Sequence, residues 1–371
     1  MKIIRIFLLL IVFFVPVAGM ITTPSNLVLK GENRNITAFP EFGKAHFFSN
    51  LQKYVTDRIF YKVKFEEAIF PVFKEYFSFF KFDKSEISIA GNDGWLFFSD
   101  NYVSKVYQQH SFLLNNTEFR NSIFKTKIPY LKVVSNLSNA KFYFVVGPDK
   151  HGIYPEFMDQ HYGKPGQYRL FSDFKNVLES NGFEVIDPYN AIRAYKGKLG
   201  YRSLYYTDDS HWNLAGAKVA FDYLMQNIVN DYIPFDYEFA YFKHKNGDLV
   251  RNIKQPKNEY LDDVKVTRKG LPFVEVIDLN SNKLISKEKL NFELPEYGTL
   301  VVNEQAVDKR TVLLLSDSYG YALKSYLSDY FYKVAHCYGF VQNPYQLKQI
   351  IDKTKPDLVL FVNVERKFFT L

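Results

Sequence analysis

From residue 141 onward, short runs of consecutive apolar residues alternate with stretches whose apolar positions recur every three or four residues. KFYFVVGP (141–148), FEVIDP (183–188), TVLLLS (311–316), YKVAHCY (332–338) and DLVLFVNV (357–364) are of the first kind. They are short and rich in β-branched and aromatic side chains, a pattern that predicts strands buried on both faces. YRLFSDFKNVLESNG (168–182), NLAGAKVAFDYLMQNIVN (213–230) and the segments near 319–328 and 345–353 carry the helical period. The first of these stops at Asn-Gly, a helix-ending signal. Strands and amphipathic helices in alternation predict an α/β domain with a mostly parallel sheet covered on both faces.

Elsewhere the pattern changes. ISIAGNDGWLFFS (87–99) reads as two short strands around the turn Asn92-Asp93-Gly94. Residues 41–80 have apolar positions at helical spacing, after an extended polar segment that reaches about Pro40. Between about 235 and 310 short β-like pieces mix with charged loops, which reads as a β-rich insertion or lobe on the sheet. There is no internal repeat and no flexible linker, so residues 87–371 form one elaborated domain behind a segment at 21–86. Residues 1–20 (MKIIRIFLLLIVFFVPVAGM) place Lys2 and Arg5 before an apolar run broken at Pro16, with small residues following. That is a secretory signal, cleaved or retained as an anchor. The bulk of the chain is expected outside the cytoplasm.

Composition narrows the classes. Apolar residues make up 47% of the 371, enough for a sizeable core. Aromatics reach 18%, and these either fill that core or form faces that stack on sugar rings. The net charge of +7 comes without a dense basic block, which argues against a nucleic-acid partner. One cysteine, Cys337, excludes an intrachain disulfide and reads as a buried strand residue. His336 beside it should face the other side of that strand. No HExxH, CxxC, clustered histidine ligands or glycine-rich nucleotide loop occurs, so no metal or cofactor is expected.

Two stretches carry candidate chemistry. In VLLLSDSYG (312–320) an apolar strand meets a sharp Ser-Asp-Ser turn and then a helix. Ser318 would stand at the carboxyl end of a parallel strand and at a helix N-terminus, where backbone donors favour an oxyanion. Taken alone, such a turn is an ordinary helix cap. TDDSHWNLAG (207–216) supplies what a nucleophilic serine needs: His211 as base and Asp209 as the carboxylate that orients it, with Asp208 as the rival orienter.

GNDGWLFF, VVGPDKHGIYPE, DDSHWNLAG, HKNGDL, LLSDSYG and VNVERKF fall in that order along the chain. Together they resemble the SGNH-hydrolase-like O-acetyltransferases of the alginate AlgX/AlgJ type and the related DHHW proteins, over about residues 87 to 368. The resemblance implies a three-layer α/β/α sandwich with a circularly permuted motif order. It implies Asp209, His211 and Ser318 as a triad, and matches Trp212 to the tryptophan that follows the family's histidine. It also implies transfer of acetyl groups to an exported polysaccharide, with a membrane-bound O-acyltransferase as acetyl supplier. The turn opens with Ser316 where the family's begins with glycine, and the shorter AlgJ-like form, without an appended carbohydrate-binding module, is expected. A periplasmic protein follows, soluble or anchored to the inner membrane.

Further candidates support the site or touch substrate. Tyr319 follows the nucleophile and offers the second amide, after that of Ser318, for an oxyanion. Lys150 and Tyr154 lie in the loop after a strand, as substrate contacts or solvated residues. Glu365-Arg366 ends the last strand, as an ion pair that organises the site or as a plain surface pair. Gly247-Asp248 reads as a simple turn.

Overall fold

In the computed structural model the described residues are 88–99, 128–158, 168–200, 202–244, 247–250, 260–295, 297–338 and 344–369, with scattered positions before 126. The signal-like N-terminus and nearly all of the helical reading at 41–80 lie outside them. Two units divide the chain, residues 1–83 and 84–371. In the first, the short strands Val28–Leu29 and Arg34–Asn35 pair antiparallel. Among the described residues no helix is long and apolar enough to cross a membrane.

In chain order the second unit runs β1 (Ser88–Ala90), β2 (Leu96–Phe98), β3 (Lys141–Gly147), α1 (Leu170–Ser180), β4 (Glu184–Ile186), α2 (Tyr189–Lys196), α3 (Leu214–Ile228), β5 (Glu238–Phe242) and β6 (Asp263–Thr267). It continues with β7 (Phe273–Asp278), β8 (Leu284–Lys289), β9 (Thr299–Val302), β10 (Asp308–Ser316), α4 (Gly320–Tyr330), β11 (Phe331–Tyr338), α5 (Pro344–Thr354) and β12 (Leu358–Val364). One eight-stranded sheet has the order β8-β7-β9-β11-β10-β12-β3-β4. From β11 to β4 every pairing is parallel. The apolar runs read from the sequence are these strands. The stretch read as an insertion contributes β7, β8 and β9, which extend the sheet with antiparallel pairings beyond β11. Within this stretch β5 and β6 pair separately from the main sheet, as β1 and β2 do earlier in the chain. Helix α2 was not anticipated, because Ile192 is its single fully buried residue and its other positions are polar or half-exposed.

Alternate strand residues point to opposite faces, and each face is covered. Val312, Leu314, Leu360 and Val362 pack under α3 and α4, against Phe221, Leu224, Leu323 and Leu327. Leu313, Leu315, Val359 and Phe361 pack under α1 and α5, against Phe171, Phe174, Leu347 and Ile351. Among the described residues most aromatic side chains belong to these two clusters. Phe144 lies 5.4 Å from Phe361, and Phe171 lies 5.3 Å from Phe368, ring to ring. Burying each such side chain contributes about 1.5–3 kcal/mol.

Parallel strands end together, and this places the chemistry. Strands β3, β12 and β10 finish at Gly147, Val364 and Ser316 on one edge. Asp149-Lys150, Glu365-Arg366 and Asp317-Ser318 follow them directly. The loop before α3 reaches the same edge, closed by pairing of Tyr205 with Trp212 and by the Tyr206 amide donating to the His211 carbonyl at 3.2 Å. Asn213 ends that loop and caps α3. Its Oδ1 accepts from the Gly216 amide at 3.0 Å, and its Nδ2 donates to the carbonyls of Ser203 at 2.6 Å and Asp262 at 2.8 Å. Asn213→Ala should therefore destabilise the protein by about 2 kcal/mol or more, from the lost cap and two stranded buried carbonyls. Asn213→Asp, which keeps the cap acceptor, should differ from it in chemical denaturation. Equal midpoints for wild type and both variants would refute this role.

Candidate active site

Ser318 sits in the turn between β10 and α4, and Asp317 holds that turn. The Asp317 carboxylate is fully buried; its Oδ1 accepts from the Tyr319 amide at 2.9 Å and its Oδ2 from the Val364 amide at 3.0 Å. The Ser-Asp-Ser turn, which taken alone reads as a helix cap, is thus braced by Asp317, and no side chain caps α4 at Tyr319. The Tyr319 amide, anticipated as an oxyanion donor, is already engaged by that carboxylate. The Ser318 amide has no acceptor among the described residues. It is the donor of the anticipated pair left for an oxyanion.

The Ser318 hydroxyl donates to Nε2 of His211 at 2.6 Å, and His211 Nδ1 donates to Asp209 Oδ1 at 2.6 Å. The His211 amide donates to the same oxygen at 2.9 Å, a local turn that the Asp-x-His spacing makes possible. Asp209 Oδ2 accepts from the Asp248 amide at 2.9 Å. Burial pulls the His211 pKa down, but the carboxylates of Asp209 and Asp248 outweigh it and the net shift is upward. Burial pushes the Asp209 carboxyl up, yet contact with His211 carries it well below the usual range.

Asp208, the rival orienter, turns away. Its Oδ1 bonds His244 Nδ1 at 2.6 Å, its Oδ2 accepts from the Gly247 amide at 3.2 Å, and its carbonyl accepts from the Leu249 amide at 3.1 Å. A Cβ on Gly247 would lie 2.1 Å from the Asp208 carbonyl oxygen, so this close approach requires glycine. Asp248 is therefore more than part of a turn. Its Oδ1 accepts from the Ser210 amide at 2.7 Å, and its Oδ2 accepts from the Ser210 hydroxyl at 2.7 Å and lies 3.8 Å from His211 Nδ1. Asp209, His211 and Asp248 bring donor atoms within 4.8 Å of one another, close enough for a metal ion. Hydrogen bonds already occupy both oxygens of Asp209 and both ring nitrogens of His211, so the cluster fits a proton relay better than a cation.

The other candidates form a shell beneath this chain. Lys150 is 1% exposed and donates to the carbonyls of Tyr206 at 3.0 Å, Thr207 at 3.1 Å and Asp209 at 2.7 Å. Burial lowers its pKa to about 8, partly offset by Asp209, Asp248 and Asp208. Tyr154 is also buried, stacks on Trp95 at 4.4 Å, and its hydroxyl accepts from the Leu204 amide at 3.0 Å. Neither is a solvated loop residue or placed to touch substrate. Both brace the 203–209 segment, because the loop after β3 dives under it. The Trp212 indole donates to the Tyr319 carbonyl at 3.1 Å, and the Tyr319 hydroxyl donates to the Ser210 carbonyl at 2.7 Å. These two buried aromatics tie the base loop to the nucleophile turn. A Cβ on Gly147 would meet the Tyr319 ring at 2.5 Å, so β3 ends in glycine to admit that ring.

Glu365 and Arg366 are buried and each takes a partner from another element. Glu365 accepts from the Asp149 amide at 2.7 Å and from Arg169 at 2.5 Å, while Arg366 pairs with Asp149. Burial lowers the pKa of Arg366, but Asp149 outweighs it and fixes the charge. Arg169 continues the network to Asp187 at 2.5 Å. On β11, Cys337 lies buried in the α1–α5 layer, where burial pushes its thiol up to about 11. His336 points to the other face and bonds Ser316 Oγ at 2.8 Å.

Residues 89–269 match the model of the SGNH hydrolase-like domain of the acetyltransferase AlgX. This part of the chain is similar to the AlgX-type SGNH hydrolase-like domain. The AlgX-type segment carries Asp209, His211 and Asp248; Ser318 lies beyond its end, on the same sheet. The solved structure of Bacillus cereus PatB1 is similar at 15% identity, with a TM-score of 0.52 over 76% of this chain and 97% of that one. PatB1 with a sulfonyl adduct is similar at 16% identity and a TM-score of 0.51, over 76% and 96%. The O-acetyltransferase domain of Pseudomonas putida AlgJ is 17% identical over 77% and 93%, with a TM-score of 0.47. Likeness at these identities is likeness of fold. Among curated proteins none matches the chain in sequence.

The electrostatics of the AlgX-type site predict a pH signature. Base catalysis needs neutral His211, so activity should rise with pH through a pKa above the ordinary imidazole value of about 6.5. Asp248→Asn removes a charge that raises this pKa, and should move the acid limb of kcat/KM to lower pH. An acid limb unmoved by that substitution would contradict the placement of Asp248.

Proposed function

We propose that the chain is a serine O-acetyltransferase that acetylates an exported cell-envelope polysaccharide through an acetyl-Ser318 intermediate. The observation that carries this reading is the unbroken hydrogen-bond chain from Ser318 through His211 to Asp209 at the rim of an AlgX-type domain. Ser318 Oγ attacks the donor's acetyl carbonyl while its proton passes to His211 Nε2. Asp209 stabilises the imidazolium, and the Ser318 amide supports the oxyanion. The leaving group takes the proton and departs. A sugar hydroxyl then gives its proton to His211, attacks the acetyl-serine and leaves as the ester, and the serine recovers its proton.

The raised His211 pKa suits this cycle, since a stronger base activates both the serine and the incoming hydroxyl. The signal-like N-terminus supports a periplasmic site of action, where a membrane-bound O-acyltransferase would supply acetyl groups. A reporter fused after Leu371 should be active only outside the cytoplasm; activity inside would remove the polysaccharide from the proposal.

With an activated acetyl ester, wild type should gain one acetyl group, mapped to Ser318. Ser318→Ala should gain none, and His211→Ala should slow acetylation about a hundredfold or more. Asp209→Asn should also slow it, by favouring the wrong tautomer. PatB1 has been solved with a sulfonyl adduct, so a sulfonyl fluoride is a second probe of the same serine. Added oligosaccharide should discharge the acetyl-enzyme faster than buffer and appear as acetylated sugar. Discharge at the buffer rate would instead mark an esterase on the same fold, and absence of any adduct a non-catalytic subunit.

A further inference from the structure

Any acceptor must bring a hydroxyl to within about 3–3.5 Å of an acetyl group on Ser318, so the side chains around that rim decide which acceptor fits. The aromatics nearest the serine in the triad shell cannot stack on a ligand: Tyr319 and Trp212 are 0% and 2% exposed. A second group of aromatics lies on the β11 side. Tyr338 closes β11 on the rung beside Ser316, two residues before the nucleophile. Neighbouring strands are about 4.8 Å apart, so Tyr338 stands one strand away from the nucleophile turn. Tyr321 lies in the first turn of α4, and its amide donates to the Ser318 carbonyl at 3.3 Å. Tyr297 leads into β9, whose first residue, Thr299, pairs with His336.

These three tyrosines form one cluster. Tyr297 lies 4.8 Å from Tyr321 and 5.2 Å from Tyr338, ring to ring, the second pair edge-on at 87°. His336 supports them from below, 4.9 Å from Tyr297 and 5.7 Å from Tyr321. Through its 2.8 Å bond to Ser316 the same histidine fixes the cluster to the strand that delivers Ser318. Tyr338 is 45% exposed, and Tyr297 and Tyr321 are half-buried. The other exposed aromatics, such as Phe273 and Tyr345, stand away from the carboxyl ends of the parallel strands or on α5.

We propose that Tyr297, Tyr321 and Tyr338 form the acceptor subsite, a platform on which the apolar face of a pyranose ring stacks beside Ser318. An aromatic ring covers the axial C–H face of a sugar, while the phenol hydroxyl offers a polar edge to the ring's own hydroxyls. Rigid tyrosines do this with little conformational entropy to lose. The assignment rests on the acetyltransferase reading for its substrate class, but is tested by binding and not by turnover.

The experiment uses the full chain with Ser318→Ala, so that no ester forms, and measures dissociation constants for cellohexaose, chitohexaose and a mannuronate hexamer. At least one should bind, and adding Tyr338→Ala should weaken that sugar about tenfold. Tyr338→Phe should keep most of the affinity, because the ring does the stacking. Tyr345→Ala, which removes an exposed tyrosine on α5, should leave it unchanged. Circular dichroism of each variant excludes unfolding as the cause. No binding by the parent, or equal affinity with and without the Tyr338 ring, would overturn the subsite. The acetylation test on Ser318 fails or succeeds separately, so a sugar-binding protein without an acetyl-enzyme would keep the platform and lose the transferase.

Discussion

One buried cation holds the candidate site in place. Lys150 follows the end of β3, sets its ammonium 5.5 Å and 5.2 Å from the ring centres of Trp95 and Phe97, and donates to three carbonyls of the 206–209 loop. An isolated buried charge costs several kcal/mol. Here the carbonyls and the facing carboxylates of Asp208, Asp209 and Asp248 offset that cost. The relation is mutual: without the ammonium, those carboxylates would lose a buried positive charge that faces all three. A loop that must present an aspartate and a histidine in one geometry is thus pinned from the sheet side and not left to its own conformational preference.

The three aspartates of this region show how environment divides roles among like groups. Asp209 is committed to His211, Asp208 to the 244–249 segment, and Asp248 to Ser210 with its charge near the imidazole. Their separation rests on the close backbone approach at Gly247, which brings two segments nearly forty residues apart into hydrogen-bond contact. The result is a base more strongly proton-attracting than free imidazole, set by charges that never touch the serine. A further ionic network, Asp187–Arg169–Glu365 with Arg366–Asp149, locks the ends of β3 and β12 in the same layer. The ends of the two strands beside β10 on that flank are thereby fixed without any covalent link.

Aromatic abundance has two fates in this fold. Among the described residues most Phe and Tyr side chains belong to the two large core clusters. The tyrosines at the ends of β11 and α4 instead reach the rim. The added antiparallel strands, β7 to β9, widen the sheet on that side, and Tyr297, just before β9, packs against Tyr321 and Tyr338. The stretch read as an insertion is thus largely part of the sheet.

The sequence by itself determined the layered α/β architecture, since continuous apolar strands alternating with amphipathic helices have few other ways to bury both sheet faces. It also offered the candidates that the structure brings together: Asp209 and His211 two residues apart, and Ser318 after an apolar strand at a strand-to-helix turn, joined into one set by the ordered motifs of the resemblance and not by spacing alone. Burial and partnership were not legible. Lys150 and Tyr154 look like solvated loop residues because nothing nearby in sequence reports the segment that covers them. Asp248 looks like part of a turn because its partners, Ser210 and Asp209, lie in a distant loop. Asp317 looks like one residue of a capping turn, yet it is buried and bonds the Val364 amide of a strand nearly fifty residues away. Hydrogen-bond periodicity and hydrophobic patterning act over a few residues, whereas pKa, charge compensation and the choice among equivalent carboxylates depend on contacts that only tertiary packing creates.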